Sequence, residues 1–321
     1  MTEQPAKPLI SLVIPVHNEA AALPTLLARL EQVLEPAPFS HELLFVDDGS
    51  SDATPELLRE QARRNPQVAV LCLTRQFGKE AALLAGLEHC RGDAAIPLDA
   101  DLQDPPELIP ELVARWQEGY EVVCAVRRKR NDPWLKRVSA ESFYSLISSI
   151  SNTPISDRVG DFRLLDRQVI EALRLLPERA LFMKGMMAWV GFRSCEVPYD
   201  RPARQEGQSK WPWQRLVGLA LDGITSFSNV PLYLWMYCGA LVSLLSVGYG
   251  IFLIIRTLIT GVVLPGYISI MTAVLFMGGL QLLSIGVLGQ YIGRIFMEVK
   301  RRPRYLIRSS TNITIQGGDA R

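Results

Sequence analysis

The run Ile96-Pro97-Leu98-Asp99-Ala100-Asp101-Leu102-Gln103-Asp104-Pro105-Pro106-Glu107 places four carboxylates within nine residues, directly after an apolar stretch. Like charges this close repel unless a cation or a helix end absorbs them. Asp99 and Asp101 are separated by a single residue. Extended backbone would turn both to one face, and Gln103 continues the series. Such oxygens, with no histidine nearby, suit a hard divalent cation, Mg2+ or Mn2+, which would also take phosphate oxygens of a substrate. Asp104, ahead of Pro105-Pro106-Glu107, reads instead as a helix N-cap, with Glu107 in that helix's first turn.

Other loops are similarly polar. They are Pro15-Val16-His17-Asn18-Glu19, Asp47-Asp48-Gly49-Ser50-Ser51-Asp52 and Thr74-Arg75-Gln76-Phe77-Gly78-Lys79. Singly, each has a plain structural reading: Asn18, Asp52 and Thr54 as helix caps, Gly49 as a turn residue. Together they follow apolar runs at 9–16, 42–46, 68–73, 94–98 and 121–126 that read as strands. Helix-like segments near 20–34, 55–64, 79–89 and 106–117 lie between them. This alternation predicts an α/β domain, a mostly parallel Rossmann-like sheet covered on both faces. Such sheets bind ligands at the carboxyl ends of their strands, where these loops fall.

The chain has 321 residues and formal net charge +1, which gives no argument for nucleic-acid binding. Five cysteines with no C-x-x-C spacing and three scattered histidines speak against disulfides and zinc, and fit a reducing compartment. No signal peptide is legible in the polar, proline-containing residues 1–9. Composition changes near residue 230. Residues 232–255 and 262–293 contain no charged side chain, so both runs are long enough to cross a bilayer. Arg294, Lys300, Arg301, Arg302, Arg304 and Arg308 crowd the far end of the second run. The positive-inside rule therefore puts the C-terminus, and with it the N-terminal domain, in the cytoplasm. The expected division is a catalytic domain over 1–230, a transmembrane hairpin over 231–294 and a basic tail over 295–321. Segments 133–151 and 211–229 read as interfacial amphipathic helices, with tryptophans suited to headgroup depth.

With these motifs in view the chain resembles glycosyltransferase family 2, of the GT-A fold, in its polyisoprenyl-phosphate branch. The resemblance rests on Val13-Ile14-Pro15-Val16-His17-Asn18-Glu19, Val46-Asp47-Asp48-Gly49-Ser50, Asp99-Ala100-Asp101-Leu102-Gln103-Asp104-Pro105 and the two C-terminal spans. Gly160-Asp161-Phe162-Arg163-Leu164, Leu181-Phe182-Met183-Lys184-Gly185 and Leu288-Gly289-Gln290-Tyr291-Ile292-Gly293-Arg294 are closest to bactoprenol glucosyltransferases of O-antigen modification. One departure stands out: the family often has tyrosine or phenylalanine where this chain has His17. The resemblance implies an enzyme of the bacterial inner membrane that takes a UDP-sugar and a polyprenyl phosphate and assembles as a homo-oligomer, a tetramer in similar proteins. It implies Pro15, Glu19, Asp47 and Asp48 near the nucleotide, and Asp99, Asp101 and Gln103 on the metal. Lys79 would reach the donor or carry a solvated charge. Asp161 would stand at the active site, the alternative being a structural pairing with Arg163.

The acceptor decides what catalysis is needed. A sugar hydroxyl calls for a general base, whereas a phosphate monoester, with a second pKa of about 6, is already largely dianionic at neutral pH. It needs positioning and positive charge rather than proton removal. Arg127, Arg137, Arg201 and Lys210 are the candidates for that charge, while Lys129 and Arg130 read as a solvated face attracted to anionic lipid. Glucose transfer from UDP-glucose to undecaprenyl phosphate is the leading expectation, with mannose or a formamido-arabinose as rival sugars. A processive synthase is disfavoured because Leu112, not glutamine, stands three residues before Arg115-Trp116. A non-catalytic membrane-anchored binder of nucleotide sugars is the rival from another class.

Overall fold

The computed structural model describes residues 7–128, 159–176, 183–199, 230–260 and 266–313. The chain divides into two units, an α/β unit that also takes in the segment from Arg302 onward, and a helical unit reaching to Arg301.

The α/β unit is built on one eight-stranded sheet, ordered β7 (Ser194–Tyr199), β5 (Val122–Arg127), β6 (Val159–Asp166), β4 (Ala94–Pro97), β1 (Leu9–Val16), β2 (Ser40–Asp47), β3 (Val68–Leu73) and β8 (Ile307–Thr311). Strands β1, β2, β3 and β4 form its parallel centre. These strands are nearly continuous in Val, Ile and Leu because both faces are covered. Along β1, Ile10, Leu12 and Ile14 enter the core on one face and Val13 the core on the other, as a period of two requires. Helices α1 (Leu23–Leu34), α2 (Thr54–Arg64) and α4 (Ile109–Gln117) close the first face. Helices α3 (Lys79–His89), α5 (Arg167–Leu175) and α6 (Met183–Trp189) close the second. Helix α3 lies so close to the sheet that a Cβ on Gly86 would collide with the Val13 side chain.

The sheet predicted as mostly parallel has a parallel centre and antiparallel pairings toward its flanks. Strand β6 (Val159–Asp166) runs antiparallel to both β4 and β5 (Val122–Arg127), and β7 (Ser194–Tyr199) pairs parallel with β5. The segment expected as a basic tail supplies β8 (Ile307–Thr311), antiparallel to β3 at the sheet edge. The interfacial segments 133–151 and 211–229 lie outside the described residues.

The helical unit contains α7 (Val230–Thr260) and α8 (Tyr267–Val299). Among the described residues one helical stretch is long and apolar enough to cross a membrane, Phe276–Val299. The apolar stretch Trp235–Tyr249 in α7 is shorter.

Candidate active site

The carboxyl ends of β1, β2 and β4 and the loop after β3 enclose a cleft of about 270 Å³. Pro15, Glu19, Asp48, Lys79, Asp99 and Asp101, six of the residues singled out by sequence, all line it. Separated by up to 86 positions in the chain (15 to 101), they meet because the parallel strands carrying them end on one edge.

Each wall is held by its own backbone chemistry. Asn18 adopts a left-handed φ of 57°, which asparagine tolerates. Its side-chain oxygen accepts the backbone N–H of Ser51 at 2.8 Å and of Asp52 at 3.3 Å, so it ties the β1 loop to the β2 loop rather than capping α1. Asp52 accepts the Thr54 N–H at 3.0 Å from one residue ahead of the N-cap position of α2, which Ala53 fills without a side-chain hydrogen bond. Thr54 instead uses its hydroxyl to hold the Glu19 N–H at 2.9 Å. Gly49 (φ 68°) is pressed so tightly on the backbone of Arg75 that any side chain would collide.

Asp47 and Asp48 are both buried and divide their labour. Asp47 accepts the Ser50 N–H at 3.1 Å and holds the turn, and it does not line the cleft. Asp48 accepts the backbone N–H groups of Phe77 at 2.7 Å and Gly78 at 2.9 Å, which fixes the β3–α3 loop. That loop delivers Gln76 to the cleft wall and Lys79 to the first position of α3. His17 also lines the cleft. Its Nδ1 donates to the Asp48 carbonyl at 2.9 Å.

The electrostatic centre is Lys79. Its Nζ lies 2.7 and 2.8 Å from the two Asp99 oxygens and 2.9 Å from Asp161 Oδ2. Burial works against the ammonium charge, yet Asp99 and Asp161 outweigh it and the Lys79 pKa is raised. Burial, opposed by Lys79 and reinforced by Asp161 and Asp101, raises the Asp99 pKa. Burial first, then Asp101 and Asp52, raise that of Glu19. The cleft therefore concentrates negative charge around Lys79.

Two expectations about the acidic run change. Strand β4 ends at Pro97 and Leu102 has a φ of 55°, so the backbone turns instead of continuing extended. Gln103 consequently stands outside the cleft lining, its backbone N–H donating to Asp101 Oδ1 at 3.1 Å. Asp104 is not a helix cap. It is buried and accepts the Tyr199 hydroxyl at 2.7 Å, joining the acidic loop to β7. Glu107 sits in the first turn of the short helix Pro106–Leu108 and also pairs with Arg29 of α1 at 2.8 Å.

Arg127 is the last residue of β5, level with Tyr199. Arg137, Arg201 and Lys210 lie outside the described residues. Sequence reasoning gave no role to His17 or Gln76, although both stand in loops it had placed on the active edge. All five cysteines are free, as their spacing implied.

An eight-stranded mixed sheet with acidic loops at its carboxyl edge defines an α/β domain, and comparison makes the class specific. Residues 11–174 match glycosyl transferase family 2, and residues 230–295 match the GtrB C-terminal hairpin. The chain is 50% identical over 302 residues to the SfII prophage-derived bactoprenol glucosyl transferase of Shigella flexneri, covering 94% of this chain and 98% of that one. An uncharacterised glycosyltransferase of Synechocystis is 50% identical over 299 residues, covering 93% and 94%. The prophage bactoprenol glucosyl transferase homolog of Escherichia coli K12 is 47% identical over 300 residues, covering 93% and 98%. The protein belongs to glycosyltransferase family 2 and is a glycosyltransferase carrying the GtrB-type hairpin.

Proposed function

We propose that the protein transfers glucose from UDP-glucose to undecaprenyl phosphate with inversion, in a direct displacement at the inner face of the bacterial cytoplasmic membrane. The observation that carries this reading is the convergence of Asp99, Asp101 and Lys79 on one cleft at the sheet's carboxyl edge, with Asp161 paired to Lys79. The bactoprenol glucosyl transferase names of its relatives support the choice of sugar and lipid.

Among the described residues no group of three or more His, Cys, Asp and Glu is arranged to hold a metal ion. Two cleft carboxylates, Asp99 and Asp101, nevertheless have the oxygen chemistry that would hold a hard cation. When bound, Mg2+ or Mn2+ would neutralise charge on the leaving nucleoside diphosphate. The chain's own residues do the rest. Pro15, Glu19 and Asp48 shape the nucleotide end of the cleft, with Asp47 holding the adjoining turn. Lys79 brings positive charge between donor and acceptor sides, and Asp161 orients the reacting groups rather than removing a proton from a dianion. Arg127, Arg137, Arg201 and Lys210 would draw in the lipid phosphate.

On this reading α7 and α8 both cross the bilayer, the shorter apolar stretch of α7 included, with the α/β unit and the C-terminus cytoplasmic. The working form is a homo-oligomer, a tetramer by resemblance. Membranes containing the protein should convert labelled UDP-glucose and undecaprenyl phosphate into a chelator-sensitive lipid-linked sugar in Mn2+. A product formed from GDP-mannose or a UDP-arabinose derivative alone would replace the sugar. No lipid-linked product from any nucleotide sugar would overturn the reading.

A further inference from the structure

The segment after the helical unit does more than finish the sheet. Strand β8 pairs with β3 from Val70↔Thr311 to Leu73↔Ile307, with a register shift between Cys72 and Leu73. Just past that shift, both backbone polar groups of Thr74 are taken by the same segment. The Thr74 N–H donates to the Leu306 carbonyl at 2.9 Å, and the Arg308 guanidinium donates to the Thr74 carbonyl at 2.7 Å. Thr74 opens the loop whose Phe77 and Gly78 N–H groups hold Asp48 and whose Gln76 lines the cleft. At the other end of α3, the Tyr305 hydroxyl donates to Glu88, and Arg304 lies 3.5 Å from the same carboxylate. Tyr305 is buried there, edge-on to His89.

The β3–α3 unit that presents Gln76 and Lys79 is thus gripped at both ends by residues 304–308. We propose that these residues are a positioning clasp for the donor side of the cleft, so that the catalytic site is complete only with chain lying beyond the hairpin. Arg308 is its most direct member. It lies outside the cleft lining and acts through Thr74 on the loop that Asp48 also grips. A β3 edge left bare would moreover expose unpaired backbone along an apolar strand. This inference rests on reading the cleft as a nucleotide-sugar site.

The test uses the full-length protein in nanodiscs and titrates UDP by calorimetry. Arg308→Ala should weaken UDP binding on the order of three- to tenfold, the range of a charged hydrogen bond discounted for exposure. The apparent KM for undecaprenyl phosphate and the thermal midpoint should stay near those of the unaltered protein. Arg308→Lys, which still reaches a carbonyl, should recover most of the loss. Asn312 holds the other end of β8, donating to the Ala62 and Val68 carbonyls far from the loop. Asn312→Ala should lower the thermal midpoint and leave UDP affinity alone. Unchanged UDP binding in Arg308→Ala, or equal weakening in Asn312→Ala, would overturn the clasp. Asp48→Asn separates the two levels of the argument. If it weakens UDP binding while Arg308→Ala does not, the donor site stands and the clasp falls. If Asp48→Asn binds UDP normally, the donor-site reading fails and takes the clasp with it.

Discussion

On the proposed reading, Lys79 competes with a divalent ion for Asp99. At about 2.8 Å, two unit charges in a medium of effective dielectric ~20 attract by roughly 6 kcal/mol. The Lys79 side chain is 44% exposed and that of Asp99 34%, so solvent screening reduces this to about 1 kcal/mol. A divalent ion that takes Asp99 must loosen that contact. Replacing Lys79 by glutamine removes the competitor, and Mn2+ should bind about fivefold more tightly, the factor that 1 kcal/mol corresponds to. Sugar transfer should fall at the same time, because Asp161 loses its 2.9 Å contact with the Lys79 ammonium. The measurement is electron paramagnetic resonance of free Mn2+ titrated with protein alone, without nucleotide. The raised Lys79 pKa keeps the group charged throughout the working range, so the difference between the two proteins should be the same at pH 6.5 and 8.5. Mn2+ affinity that is unchanged or weaker in Lys79→Gln would refute the reasoning.

Three further outcomes are expected. Asp104→Ala leaves the buried Tyr199 hydroxyl without that acceptor and should cost about 1–3 kcal/mol, a drop of several degrees in thermal midpoint with UDP affinity retained. An unmoved midpoint would return Asp104 to a minor role. The raised Glu19 pKa means that the folded protein holds this proton more tightly than the unfolded chain. Stability from this group is then complete below the usual value of 4.5 and declines as pH rises through the shifted one. Glu19→Gln should accordingly raise the metal-free thermal midpoint at pH 7 and leave it nearly unchanged at pH 4. The opposite ordering would mean that Glu19 is stabilised as the anion. Asp161→Asn should lose the same fraction of rate at pH 7.5 and at pH 9, where a phosphate with a second pKa of about 6 is already the dianion and has no proton to give. A loss confined to one limb of the pH–rate profile would make Asp161 a base.

Much of the site was legible because its residues follow apolar runs. A strand buried on both faces announces itself as Val, Ile and Leu, and whatever polar residues follow it stand at the sheet's edge. That logic found β1 to β5 and brought Pro15, Glu19, Asp48, Asp99 and Asp101 to one place. It fails for β8, whose Ile-Arg-Ser-Ser-Thr is half exposed and carries no alternation. Only the bare edge of β3 makes it a strand. It fails likewise for Gln103, since alternation presumes an extended chain and Leu102 leaves that region. Local rules misassigned Asp104, because a carboxylate before two prolines has the signature of a cap whether or not a tyrosine from β7 reaches it first.

The order of types along the chain, then, determined the class of domain, the edge that carries chemistry, the two apolar helices and the family. Those are properties of periodicity and motif, which act over neighbours in sequence. The tertiary structure alone decided the partners. It set Lys79 between Asp99 and Asp161, 20 and 82 residues away, and gave Asp48 to the next loop's backbone. It also brought residues from beyond position 300 onto the loop of Thr74. A charge or a hydrogen bond acts over a few ångströms of space, and that distance is set only when the strands between have paired.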